Sequence, residues 1–205
     1  MSMRLVVLAS GRGSNLQAII DACARGTLDA HVAGVVSDQP GAAALERASA
    51  AGIRAVAVPR ANYGSRSRWE EALAEAVASL NPHLVVLAGF MRILSPVFIE
   101  RFGGNVINIH PSLLPSFPGL EAQKQALDRG VKYSGCTVHF VDSGCDTGPI
   151  IAQRVVPVLE GDDVESLSSR ILEQEHELLV EVLRDFAARW NEQHGEGSQW
   201  QSRGL

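Results

Sequence analysis

An amide and an imidazole, Asn108 and His110, stand two residues apart in the run Val106-Ile107-Asn108-Ile109-His110-Pro111. Val106, Ile107 and Ile109 are apolar and β-branched, which predicts a buried strand. Residues two apart on a strand project to one face, so the amide and the imidazole sit side by side. Pro111 cannot donate to a ladder, and Pro115 and Pro118 keep the next stretch irregular. The pair therefore marks a strand end beside a rigid loop, where open α/β sheets bind their ligands. Two such groups can donate to a developing negative charge or move a proton. Their plainer use is to cap a strand end by hydrogen bonds.

The second candidate is Ser10-Gly11-Arg12-Gly13-Ser14-Asn15, between an apolar run and a helical segment. A helix N-terminus offers free N–H groups and a positive dipole end, and glycine lets the backbone approach an anion, so a phosphomonoester fits. The alternative is a tight turn with Ser14 as N-cap. A dinucleotide fingerprint needs a third glycine where Leu16 stands, and a P-loop needs Gly-Lys-Ser/Thr. Asp38 stands where a ribose-binding acid would, which keeps a nucleotide-cofactor reading open. His110, His139 and Asp146 could be drawn as metal ligands, but no spacing among them matches a metal motif. His176-Glu177 begins a metalloprotease-like motif and fails because Val180 occupies the place of the second histidine. No metal is expected.

Apolar runs at 5–8, 32–36, 53–58, 84–87 and 106–110 alternate with helical segments at 16–24, 42–51, 66–80 and 121–129. Near-continuous apolar runs separated by helices predict a parallel sheet covered on both faces. Runs at 136–141 and 150–158, joined by a short Gly-rich loop, predict a hairpin and an antiparallel C-terminal edge. A long helix is expected over 165–190, with an apolar stripe from Leu167 to Phe186. The expected fold is thus α/β, a single Rossmann-like domain over residues 1–190, with a polar tail at 191–205. The chain has 205 residues and a net charge of −5, without a basic run, so nucleic acid is excluded as a partner. The apolar stretch at 5–9 is too short for a signal-peptide core or a membrane span. Three cysteines, odd in number and without Cys-x-x-Cys, fit a reduced, cytoplasmic protein.

Asn108-x-His110-x-Ser112-Leu113-Leu114-Pro115 resembles the signature of the folate-dependent formyltransferases. Asp142-Ser143-Gly144-Cys145-Asp146-Thr147-Gly148-Pro149-Ile150 resembles the family's second motif, an Asp followed by Gly-Pro-Ile. The resemblance runs from about Arg4 to about Trp190 and is closest to the members that act on glycinamide ribonucleotide in purine biosynthesis. It implies a catalytic triad of Asn108, His110 and Asp146. It implies that Gly13, Ser14 and Asn15 hold the ribonucleotide phosphate and that Glu175 meets the glycinamide end. Glu175 otherwise reads as part of a solvated charge run. It implies a folate site formed by Arg66, Met91, Arg92, Ile93, Leu94, Asn108, Val141 and Asp142. The plainer reading of Met91, Ile93 and Leu94 is a core-facing loop. Where some members carry histidines after Pro118-Gly119-Leu120, this chain has Glu121, Ala122 and Gln123, which touches only peripheral contacts.

The implied activity is formyl transfer from 10-formyltetrahydrofolate, as co-substrate, to the substrate amine. The amine attacks directly, so no nucleophilic Ser or Cys is required. Asn108 and His110 are expected to donate to the developing oxyanion. Asp146 is expected to favour the imidazolium of His110 and to take the amine's proton through a water. Two alternatives remain: a formyltetrahydrofolate hydrolase, whose family usually adds an N-terminal regulatory domain, and a nucleotide-binding oxidoreductase or sensor. The methionyl-tRNA formyltransferases add a basic C-terminal domain that this sequence does not show. Monomer and homodimer are both open.

Overall fold

The computed structural model describes residues 2–194. Seven strands and six α-helices follow in the order β1 (Met3–Leu8), α1 (Ser14–Ala24), β2 (Ala30–Ser37), α2 (Ala43–Ala50), β3 (Ala55–Ala57), α3 (Arg66–Ala78), β4 (Leu84–Leu87), α4 (Pro96–Arg101), β5 (Val106–His110), α5 (Ala122–Asp128), β6 (Tyr133–Phe140), β7 (Ile150–Pro157) and α6 (Val164–His194). They form one sheet in the order β3-β2-β1-β4-β5-β6-β7. Strands β1 to β5 run parallel, and β6 and β7 add an antiparallel edge. This is the Rossmann-like α/β domain with an antiparallel C-terminal edge that the alternation of runs predicts.

The central strands are apolar on both faces because both are covered. In β1, Leu5 and Val7 pack into one core layer with Leu16 and Ile19 of α1 and Leu167, Ile171, Leu179 and Leu183 of α6. Val6 and Leu8 pack into the other, with Trp69, Leu73 and Val77 of α3 and Phe98 and Ile99 of α4. The period of two along a strand thus divides one short run between two cores. Trp69 is buried without leaving a donor stranded, since Nε1 donates to the Val58 carbonyl at 2.8 Å.

Three local features differ from expectation. The run at 53–58 yields only three strand residues, because it lies on the sheet edge beside β2 alone. Helix α4 is an element the alternation of runs does not predict; Ser95 accepts from the Phe98 amide and Pro96 occupies the first turn, a capped start that Ser-Pro spells out. Helix α6 runs to His194 rather than 190, held by Asn191 Nδ2 donating to Asp29 at 2.6 Å and by Trp190 stacked between His83 and His194. The expected tail beyond 194 lies outside the described residues.

The chain leaves β1 for β2 and β3 on one side and returns to β4 on the other. The loops after β1 and β4 therefore part company at adjacent strand ends, and a crevice opens there.

Candidate active site

Strand β5 delivers Asn108 and His110 to the mouth of that crevice, and the β6–β7 loop folds over to bring Asp146 onto both. Asp146 lies 3.4 Å from Asn108 Nδ2 through Oδ1 and 3.3 Å from His110 Nδ1 through Oδ2. Three features hold it there. Its backbone is left-handed, with φ of 56°, a region Asp tolerates better than most residues. Its Oδ2 accepts the Gly119 amide at 2.8 Å, tying the β6–β7 loop to the proline-rich loop. Gly148, two residues on, passes so close to the Phe140 carbonyl that a Cβ there would collide with it, which is why a glycine precedes Pro149.

His139 completes the cluster. It faces Asn108 across the β5–β6 ladder. Its Nδ1 contacts the Phe140 carbonyl at 2.8 Å, so Nδ1 carries the proton and Nε2 can accept from Asn108 Nδ2 at 3.1 Å. Its nearness to Asp146 in the chain does not by itself place it here; the register of β6 on β5 does. His110 Nε2 contacts the Phe117 carbonyl at 2.9 Å and donates to it. In this arrangement the polar hydrogens of Asn108 and His110 already have acceptors within the protein.

Burial pulls His110 below its ordinary value. The Phe117 carbonyl and the Asp146 carboxylate push it up without offsetting the burial, and His139 pulls it down further. Asp146 does push His110 toward imidazolium, as expected, and both ring nitrogens face acceptors, but at 5% exposure burial is the larger effect and moves the group the other way. Burial also raises Asp146, but His139, 3.6 Å away, the Gly119 amide and His110 outweigh it and bring the carboxyl down to about 2. Asp146 is therefore ionised at neutral pH and a weak base.

On the other side of the crevice, Gly13 occupies the N-cap position of α1 with φ of 70°. A Cβ there would stand 2.8 Å from the Ala44 backbone, so both the conformation and the close approach of α2 require glycine. The helix has no side-chain cap, so Ser14 is its first residue rather than its N-cap, and the first-turn amides remain open to an anion. Asn15 is 8% exposed; its Nδ2 donates to Glu175 Oε2 at 2.9 Å, while its buried Oδ1 has no partner. Burial raises the Glu175 carboxyl to about 7, and the single hydrogen bond from Asn15 lowers it only in part. Glu175 is thus a buried group facing the phosphate loop, not a member of a solvated run. A groove of about 650 Å³ between α1 and α6 reaches Ser14 but none of Asn108, His110 and Asp146.

The loop after β4 carries the expected folate residues. Met91 and Ile93 are 61% and 55% exposed, while Leu94 is buried. The core-facing reading therefore holds for Leu94 alone. Arg66, at the start of α3, donates to the Ile93 carbonyl at 2.9 Å and pairs with Glu70 at 3.0 Å, which brings it to this loop. Arg92 turns inward to Asp38 at 2.8 Å. Val141 is tied to β5 through its amide, bonded to the Val106 carbonyl at 2.9 Å. Asp142 caps its own loop, accepting from the Gly144 amide at 3.0 Å and Thr147 Oγ1 at 2.7 Å. The groups that sequence reasoning missed are mostly backbone, the Phe117 carbonyl and Gly119 amide, which no residue type announces. Among the described residues no cluster of His, Cys, Asp and Glu suits a metal, and no helix is long and apolar enough to cross a membrane.

The chain matches the formyl transferase family model over residues 3–183. It is 50% identical over 184 residues to the phosphoribosylglycinamide formyltransferase of Mycobacterium tuberculosis, covering 90% of this chain and 85% of that protein. It is 49% identical over 176 residues to the trifunctional purine biosynthetic protein adenosine-3 of Drosophila melanogaster, but spans only 13% of that protein's length while 84% of this chain is covered. Among solved structures, glycinamide ribonucleotide transformylase 1 from Symbiobacterium toebii superposes with a TM-score of 0.89 at 52% identity, over 92% of this chain and 89% of that one. A match through both motifs and nearly the whole sheet, on the same fold, places this chain in the formyl transferase family.

Proposed function

We propose that this chain transfers the formyl group of 10-formyltetrahydrofolate to the amino group of glycinamide ribonucleotide, a step of de novo purine biosynthesis. The observation that carries the reading is the convergence of Asn108 and His110 on Asp146, each within 3.4 Å of its carboxylate. The names of the relatives and of the similar solved structure agree with it.

The phosphate binds the open N-terminus of α1 through Gly13, Ser14 and Asn15, and the glycinamide arm extends toward Glu175. The pterin lies against the loop of Met91, Arg92, Ile93 and Leu94, with Arg66, Val141 and Asp142 at its margins. The amine nitrogen bonds to the formyl carbon, whose carbonyl electrons move onto oxygen. Asn108 and His110 turn their N–H groups to that oxygen. His110 exchanges the neutral Phe117 carbonyl for an oxyanion, a stronger acceptor in a water-poor site. The carbon–nitrogen bond to the folate then breaks and the carbonyl reforms. The proton lost by the amine ends on the folate nitrogen. A carboxylate held at about 2 does not store that proton, so Asp146 relays it and orients His110 rather than acting as a lasting base.

The test is incubation of the protein with both substrates, following deformylated folate. Deformylation that requires the nucleotide supports the reading. Deformylation at the same rate without it makes the chain a hydrolase, and a response to NAD alone makes it a nucleotide-binding oxidoreductase or sensor.

A further inference from the structure

Strands β2, β1 and β4 are neighbours in the sheet, and one buried carboxylate joins the loops that follow all three. Asp38 comes directly after β2 and is 3% exposed. Its Oδ1 accepts from Ser10 Oγ at 2.6 Å. Its Oδ2 accepts from Arg92 Nε at 2.8 Å and from Gln39 Nε2 at 3.0 Å. Ser10 has one hydroxyl proton. Having given it to Asp38, the oxygen is free to accept the Met91 amide at 2.9 Å. The Ser10 amide in turn donates to the Gly89 carbonyl at 2.9 Å.

The segment bearing Gly13, Ser14 and Asn15 and the segment bearing Met91 to Leu94 thus share one hub. The second segment is anchored by the buried Phe90 and Leu94, but between them Met91 and Ile93 are exposed. Its place is set by hydrogen bonds: Ser10 and Asp38 on one side, Arg66 on the other. Burial pushes the Asp38 carboxyl up, but Ser10, Arg92 and Gln39 outweigh it and keep it below its ordinary value, so the hub is ionised at neutral pH.

We propose that Asp38 is a positioning residue that couples the two substrate subsites, holding the phosphate loop and the folate loop in one geometry so that occupation of either favours binding at the other. The inference rests on the formyl-transfer reading for the identity of the two ligands. An amide at position 38 cannot substitute. Asn has one acceptor oxygen, so Ser10 or Arg92 would face an NH2 group with nothing to receive its proton.

The test uses the full chain and its Asp38→Asn variant, with glycinamide ribonucleotide and tetrahydrofolate, which bind together without reacting. In the parent each ligand tightens the other by at least about fivefold, and in the variant by less than about twofold. In turnover, KM for both substrates rises while kcat at saturation stays within about threefold of the parent. A merely structural Asp38 would lower the melting temperature and leave the coupling factor alone. If Asp38→Asn does not fold, Ser10→Ala cuts the same bridge while leaving Arg92 on Asp38, and the same loss of coupling is expected. Parent-like coupling in a folded variant, or no coupling in an active parent, overturns the proposal. A parent that binds neither ligand and transfers no formyl group overturns the formyl-transfer reading instead.

Discussion

Glu175→Gln separates what a buried carboxylate does for function from what it does to the fold. Glu175 is 6% exposed, takes one hydrogen bond from Asn15, and has its carboxyl raised from 4.5 to about 7. The folded chain therefore holds a proton on Glu175 that the unfolded chain releases. Below about pH 4.5 both states are protonated and Glu175 costs nothing. As pH rises from there to about 7 the folded state binds more protons, so stability falls through that window and levels off above it. The interval, at about 1.4 kcal/mol per tenfold in proton affinity, amounts to about 3 kcal/mol of destabilisation at pH 8. Gln keeps the shape and the acceptor for Asn15 but carries no charge. The variant should match the parent near pH 4.5 and exceed it by about 3 kcal/mol at pH 8, or about 6–12 °C in Tm for a chain of this size. Urea unfolding at the two pH values, with equal slopes m, measures the difference directly. The same variant should bind glycinamide ribonucleotide more weakly, a trade of stability against function common at active sites. A stability gain of equal size at both pH values, or a loss at pH 8, would refute the argument, because only a titrating buried carboxyl predicts a difference confined to high pH.

Other perturbations test the remaining parts. His110→Ala should cut turnover about a hundredfold or more while sparing folding and nucleotide binding, as loss of an oxyanion donor does; parent-like turnover excludes that role. Ser14→Ala should weaken nucleotide binding by about 1–3 kcal/mol and leave folate binding intact, read by separate titrations, and the opposite pattern would show the two sites exchanged. Asp146→Asn removes one of the two groups that push His110 upward, so the His110 pKa should fall further and activity should drop about a hundredfold. An NMR titration of His110 beside pH–rate profiles decides this, and an unchanged titration with an unchanged rate leaves Asp146 as a loop-structuring residue.

The sheet and its flanking helices were legible because each central strand is a short β-branched run and each helix repeats at the right period. Leu5 to Leu8 could be read as doubly buried before either core was known. The pairing of Asn108 with His110 followed from a period of two. Asp146 joined the pair only through the resemblance, since the proline-rich loop, α5 and β6 lie between it and β5 and only the left-handed turn of the β6–β7 loop brings it back. The sign of the His110 shift was misjudged because a sequence shows a carboxylate partner but not the depth of burial. Asp38 was weighed as a ribose ligand and is instead consumed by Ser10, Arg92 and Gln39, contacts between residues up to 54 positions apart that no local pattern encodes.

Asp38, Asp146 and Glu175 lie around the crevice, and their surroundings set them apart. Asp38 and Asp146 each gather several donors, so each stays ionised despite burial. Glu175 has one neutral donor and is pushed toward the uncharged form. A carboxylate already saturated with donors can fix loops but has little left to give an incoming group. A carboxyl near its own pKa at neutral pH, with one partner, is the one whose charge an amine-bearing substrate can change on arrival. On the formyl-transfer reading, Asp38 holds the loops, Asp146 orients His110 and relays a proton, and Glu175 is the group whose charge the substrate changes. This division explains why the costly burial of Glu175 sits beside Asn15, whose Oδ1 lacks a partner, and not among the well-satisfied groups around Asp146.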